Sequence, residues 1–187
     1  MITKIKTKSD YIKIWKMEFK FFGSNIYLLK TKGKNILIDA SSYKNKEELI
    51  SDLEKLNIKP SEINVLLLTH NHWDHIQNIN LLLNSNPSIE IYGSKKDFQN
   101  KEYPKIKDIK QIETKFPEIK IIETPGHTPG SVCIYIKKEK ILFSGDTVFY
   151  EGIGRTDFPE SSPIEMQNTL NKLKKVEYKK LCSGHPI

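Results

Sequence analysis

Residues 11–19 and 24–31 are rich in β-branched and aromatic residues and read as strands, and the Lys32-Gly33-Lys34 turn leads into a third at residues 35–39. The chain is therefore expected to open on an antiparallel meander. Leu49, Ile50, Leu53 and Leu56 then fall on one helical face over residues 46–57, with Pro60 closing the connection. The apolar run Val65-Leu66-Leu67-Leu68 has the character of a short buried strand. Ile76, Ile79, Leu82 and Leu83 return to helical spacing up to Asn84, and residues 89–92 read as a strand. Residues 94–117 are lysine-rich and irregular, the pattern of a solvated loop with one helical turn. A strand at 119–123 and a hairpin of 131–137 with 140–143 about Lys138-Glu139 follow. Ser162-Pro163-Ile164-Glu165 supplies an N-cap, a proline at the first helical position and a capping-box acid, opening a helix predicted to turn Ile164, Leu170 and Leu173 inward. A last strand spans 179–183. Strands and helices interleave along the whole chain, which predicts an α/β fold.

Composition narrows the setting. With 187 residues and no repeat or linker, the chain is read as one domain, residues 1–187, large enough to bury a core without disulfides. Cys133 and Cys182 sit in apolar strand-like segments and are expected to be core residues of a protein in a reducing compartment. The N-terminus has charge without a following apolar stretch, and no segment is long enough to span a bilayer, so a soluble, cytoplasmic protein is expected. The net charge of +7 raises nucleic acid, a membrane surface or an anionic small molecule as partners, but its spread as lysine along the whole chain dilutes that signal, and the chain lacks an obvious added nucleic-acid-binding segment. Arg155 is the one arginine among 30 basic residues, so a planar, forked cation is expected to matter there, against the alternative of a chance surface arginine.

The chemistry gathers where strands stop. His70, His72, Asp74 and His75 follow the run ending at Leu68 and include three of the five histidines. Residues i and i+2 of an extended segment point to one side, so His70 and His72 can converge on one cation while Asp74 and His75, in the turn beyond, face a neighbouring position. Imidazole with carboxylate and no thiolate suits zinc first, with iron and manganese also compatible. His127 lies in Thr124-Pro-Gly-His-Thr-Pro-Gly-Ser131, a loop stiffened by two prolines. Asp146 follows the strand ending in Ser144-Gly145, His185 follows the last strand, and Pro186 is expected to limit the freedom beyond it. Asp39 also ends a strand and either supports a metal ligand or caps a turn.

In order and along nearly the whole chain, His70-x-His72-x-Asp74-His75, Pro125-Gly-His127-Thr-Pro-Gly-Ser131, Ser144-Gly-Asp146-Thr and Gly184-His185 resemble the metallo-β-lactamase-fold hydrolases. The resemblance implies a four-layer αββα sandwich with two divalent metal ions. One would be held by His70, His72 and His127, the other by Asp74, His75 and His185, with Asp146 bridging. His72-Trp73-Asp74-His75 and Gly154-Arg155-Thr156-Asp157-Phe158 look most like the glyoxalase II and persulfide dioxygenase branches. Gln77-Asn78 replaces the glycines usual after the first motif, and the residues after His185 offer no counterpart to the glutathione-gripping helical region of glyoxalase II. The implied activity is thioester hydrolysis by metal-activated hydroxide on a substrate such as S-lactoylglutathione or a smaller thiol analogue, with Asp74 orienting the hydroxide or relaying its proton. A mononuclear iron (Fe2+) persulfide dioxygenase using His70, His127 and Asp146 is the main alternative. A lactonase, a nuclease or a non-catalytic metal-binding module fits less well.

Overall fold

A computed structural model describes residues 1–99 and 105–185. Pro186 lies outside the described residues, as do residues 100–104 of the lysine-rich stretch. The chain forms two compact units, residues 1–68 with 72–92, and residues 69–71 with 93–187.

The first unit is built on strands β1 (Ile2–Ile5), β2 (Lys13–Met17), β3 (Ile26–Thr31), β4 (Lys34–Ile38), β5 (Val65–Leu67) and β6 (Glu90–Gly93), which neighbour one another in that order. The meander β1–β4 is antiparallel, and β5 and β6 continue it in parallel. Lys32 and Gly33 both take positive φ (48° and 71°), the twist that a two-residue hairpin between Thr31 and Lys34 requires. β1 was not foreseen. Only Ile5 of this strand is buried, and the lysines around it mask the alternation, as suits a charged edge strand.

Helices α1 (Lys46–Lys55), α2 (Trp73–Ile76) and α3 (Ile79–Ser85) complete the unit. Leu49 and Leu53 of α1 are fully buried, while Ile50 and Leu56 are half-buried, so the predicted face is correct with its centre on the first pair. Each buried aliphatic side chain contributes about 1.5–3 kcal/mol. The predicted helix from Ile76 is two helices broken at Gln77-Asn78, and Asp74 and His75 lie on α2 rather than in a turn.

In the second unit, β7 (Lys107–Asp108) and α4 (Ile112–Lys115) come from the lysine-rich stretch, which carries a 3-10 turn and the one helical turn predicted for it. Strands β9 (Val132–Ile136) and β10 (Ile141–Gly145) form the expected antiparallel hairpin, and β8 (Ile119–Glu123) pairs antiparallel with β9. A small ribbon of β11 (Val148–Phe149) and β12 (Gly152–Ile153) follows, then α5 (Pro163–Leu173) and β13 (Lys180–Ser183), which pairs parallel with β10. Cys133, Tyr135, Leu142 and Leu173 form a core cluster. The N-cap of α5 is as predicted, with Glu165 N donating to Ser162 Oγ at 3.2 Å. Its inward face is so only in part: Leu173 is buried as predicted and Leu170 half-buried, but Ile164 is 77% exposed, and Met166 and Thr169 complete the buried stripe. Thr169 hides this face from a purely apolar pattern because its hydroxyl is used to donate to the Pro125 carbonyl.

Candidate metal centre

In the first unit, β5 is buried along its length, and its exit leads to His72, which N-caps α2 with extended backbone. His75 N donates to the His72 carbonyl at 2.9 Å, closing the short turn that buries Asp74 and His75. Asp39 at the end of β4 takes a positive φ of 62°, and its Oδ2 lies 2.8 Å from His75 Nδ1 with both side chains buried. Of its two expected roles, the support of a ligand is the one its contacts fit. With Nδ1 held by a carboxylate, the lone pair of the neutral ring sits on Nε2.

Gln77 and Asn78, which replace glycines, lock the same corner. Asn78 Nδ2 donates to the carbonyls of Ala40 and Ser42, each at 2.8 Å, and Gln77 Oε1 accepts from Tyr43 N at 2.9 Å. Ala40 N in turn donates to the His75 carbonyl at 2.7 Å.

The second unit gathers His70, His127, Asp146 and His185. His70 Nδ1 is 3.1 Å from Thr69 Oγ1, and its ring meets that of His127 edge-on, with centroids 4.9 Å apart. His127 Nδ1 donates to the Arg155 carbonyl at 2.8 Å, again leaving Nε2 as the donor atom for a metal. His185 is anchored through β13, because Gly184 N donates to the Gly145 carbonyl at 2.8 Å and Ser183 Oγ donates to the His185 carbonyl at 2.6 Å.

Asp146 Oδ2 lies 3.6 Å from His127 Nε2 and 3.4 Å from His185 Nε2. These separations are long for hydrogen bonds. They match the spacing between ligand atoms on a tetrahedral cation with bonds of about 2.1 Å, which is roughly 3.4 Å. The donor set therefore fits a divalent ion. Among the described residues, His and Asp side chains form groups of three that could hold a metal ion.

Arg155 spends its guanidinium inside its own loop. Nε and Nη2 donate to the two Asp157 carboxylate oxygens at 2.9 and 2.7 Å, and the cation sits 4.3 Å from the centroid of the Phe158 ring. The Arg155 fork holds the Asp157 carboxyl below the usual carboxylate range, and Asp157 raises the guanidinium in return. Gly154 is required by close approach, since a Cβ there would overlap the Asp146 carbonyl. Burial pushes the Cys133 thiol up to about 11, so it offers no nucleophile near neutral pH. Thr69 and Asp97 were missed by sequence reading. A threonine at a strand end and an aspartate among lysines carry no distinguishing signal.

A family model described as the metallo-β-lactamase superfamily matches residues 19–185. The chain belongs to the metallo-β-lactamase superfamily. Within it, a protein named "Probable metallo-hydrolase" from Methanocaldococcus jannaschii is 33% identical over 188 residues, covering 88% of each chain. A hydroxyacylglutathione hydrolase of Buchnera aphidicola subsp. Baizongia pistaciae is 33% identical over 83% of this chain and 59% of its own length. Its counterpart in Francisella tularensis subsp. novicida is 28% identical over 81% and 58%. The chain thus spans less than two thirds of those hydrolases, and these relatives support a glyoxalase II-like branch of the metallo-β-lactamase superfamily.

Among solved structures, a protein crystallised in a di-iron-bound form has a TM-score of 0.66 at 19% identity, covering 96% of this chain and 90% of that one. The B3 metallo-β-lactamase BLEG-1 has 0.65 at 22%, covering 99% and 91%. Both share the metallo-β-lactamase fold expected from the motifs.

Proposed function

We propose that this metallo-hydrolase is a dinuclear thioesterase acting on an anionic hydroxyacyl thioester, such as S-lactoylglutathione or a smaller thiol analogue. In this reading residues 1–187 act as one domain, in keeping with a family match that runs through both units. His70, His72 and His127 would hold one cation, Asp74, His75 and His185 the other, with Asp146 as a ligand common to both, and zinc is the metal this donor set favours. The observation that carries the reading is the Asp146 oxygen set between two imidazole nitrogens at tetrahedral-edge distance. The hydroxyacylglutathione hydrolase relatives supply the substrate class.

Divalent cations bound there would supply Lewis-acid polarisation of the thioester carbonyl and a water acidic enough to serve as nucleophile near neutral pH. Asp74, buried in the first turn of α2, would orient the attacking water or relay its proton. Asp39 and the Arg155 carbonyl hold the rings of His75 and His127 in the tautomer that presents Nε2. Arg155 acts through loop geometry, because its fork is engaged by Asp157. A thiolate leaves readily, so no strong general acid is required. Two reduced, buried cysteines fit a cytoplasmic setting, and among the described residues no helix is long and apolar enough to cross a membrane.

The test is metal analysis of the purified protein alongside S-lactoylglutathione hydrolysis. Turnover that is lost on chelation and restored by zinc supports the reading, and a fully zinc-loaded protein inert toward thioesters overturns it. A second reading uses fewer of these residues. His70, His127 and Asp146, the residues a mononuclear iron persulfide dioxygenase would use, all lie in the second unit. Iron in the purified protein together with persulfide-dependent oxygen uptake would decide for that activity.

A further inference from the structure

The lysine-rich stretch predicted to be a solvated loop contains an acidic residue whose contacts reach two ligand-bearing segments of the second unit. Asp97 Oδ1 accepts from Gly130 N at 2.6 Å, and Oδ2 accepts from Thr128 Oγ1 at 2.7 Å. Both donors belong to the loop that carries His127. The Asp97 carbonyl accepts from Asn71 Nδ2 at 3.0 Å, and Asn71 is the residue after His70. The turn that presents Asp97 is itself closed, with Asp97 N donating to the Ser94 carbonyl at 3.1 Å.

We propose that Asp97 is a positioning residue that sets the distance between the His70 and His127 imidazoles by bridging their two loops. The proposal rests on the reading of those histidines as metal ligands. One end of the bridge is a charge-assisted clasp on a backbone N–H and a hydroxyl, the strong class of hydrogen bond. The other end is a main-chain carbonyl, which moves with the same residue. Gly130 permits the clasp, since a Cβ there would overlap the Asp97 carboxylate. The Thr128 hydroxyl is shared with Ser131 Oγ at 2.7 Å, so the clasp also fixes the turn immediately after His127. An imidazole pair whose centroids stand 4.9 Å apart is sensitive to a shift of either loop, because metal bonds tolerate only about 0.2 Å of error.

The test compares wild type, Asp97→Asn, Asp97→Ala and Asn71→Ala. The readouts are zinc affinity by chelator competition, the visible spectrum of the cobalt-substituted protein, and urea unfolding of the metal-free protein. Asn can still accept from Gly130 N, and its amide can donate to Thr128 Oγ1, whose own proton then turns to Ser131. Asp97→Asn is therefore expected to stay near wild type in affinity and spectrum. Asp97→Ala should weaken zinc binding by about 10-fold or more and alter the cobalt spectrum. Asn71→Ala breaks the other end and should shift both readouts in the same direction, which keeps the test valid if Asp97→Ala fails to fold. Wild-type affinity in either alanine variant, or a fall in urea stability with metal binding unchanged, overturns the positioning role. A loss in Asp97→Asn as large as that in Asp97→Ala overturns it in favour of charge alone. If wild type itself binds no metal, the metal-centre reading fails and the role of Asp97 falls with it.

Discussion

At the scale of single residues, three imidazoles are each held by an atom of different chemistry: a carboxylate for His75, a backbone carbonyl for His127 and a hydroxyl for His70. Asp146 carries the assignment most open to test in the proposed centre, since its Oδ2 lies 3.6 Å from His127 Nε2 and 3.4 Å from His185 Nε2. Asp146→Asn keeps the shape and removes the charge. It is expected to lower thioester turnover by more than about 100-fold while the metal-free protein unfolds at an unchanged urea midpoint. Near-normal turnover at saturating zinc would refute the bridging role.

The Arg155 fork makes a separate prediction. Lysine cannot donate through two parallel N–H groups, so Arg155→Lys should loosen the carbonyl that holds His127 and reduce zinc affinity despite keeping the charge. The pH dependence follows from Asp157, whose carboxyl is held below the ordinary value by Arg155. A depressed carboxylate favours the ordered loop above its unfolded value and loses that contribution as pH falls through the folded one. Carbon-detected NMR titration should find the Asp157 carboxyl below the usual aspartate value in wild type and back at it in Arg155→Ala. An ordinary value in wild type would mean that the fork does not persist in solution.

At the scale of elements, the start of α5 shows what a short motif can and cannot announce. Ser162-Pro163-Ile164-Glu165 states where the helix begins, because capping is a local exchange between a side chain and the next turn. Ser162→Ala is expected to cost about 1 kcal/mol in urea unfolding, since Glu165 N loses its acceptor. A change within error would show that water replaces the cap at no cost. The motif does not announce which face turns inward. Ile164 points to solvent because the buried stripe is set by what Met166, Thr169 and Leu173 meet, and one of those three is polar. β1 was illegible for a related reason. An edge strand needs only one buried side chain, and its pairing with β2 is made by backbone atoms that any sequence carries.

At the scale of the whole molecule, metal binding and stability are linked, because ligands that bind only the folded chain stabilise it by mass action. At a free zinc concentration about 1,000 times the dissociation constant, the gain is about 4 kcal/mol per site. Chelation should therefore lower the thermal midpoint on the order of 10 °C. His185→Ala is expected to leave a folded protein that retains about one zinc per chain, as it removes a ligand from one proposed site alone. Two zinc ions held by that variant as tightly as by wild type would exclude His185 from the centre.

Read without coordinates, the chain already determined the α/β class, the order of its strands from β2 onward apart from the short β7, β11 and β12, and the residue types offered at the strand ends. Periodicity and capping are local, and histidine, aspartate, proline and glycine declare their chemistry by identity. What the tertiary structure decided is how those side chains are held. His75 is oriented by a residue 36 positions away, and His127 by a carbonyl 28 positions away. Such partners are invisible to local patterns, because a carbonyl has no residue identity and an aspartate at a strand end serves equally as cap or support until the chain folds. The same holds for Asp97. Its sequence neighbours are solvated lysines, and only packing against the His127 loop turns a surface acid into a clasp.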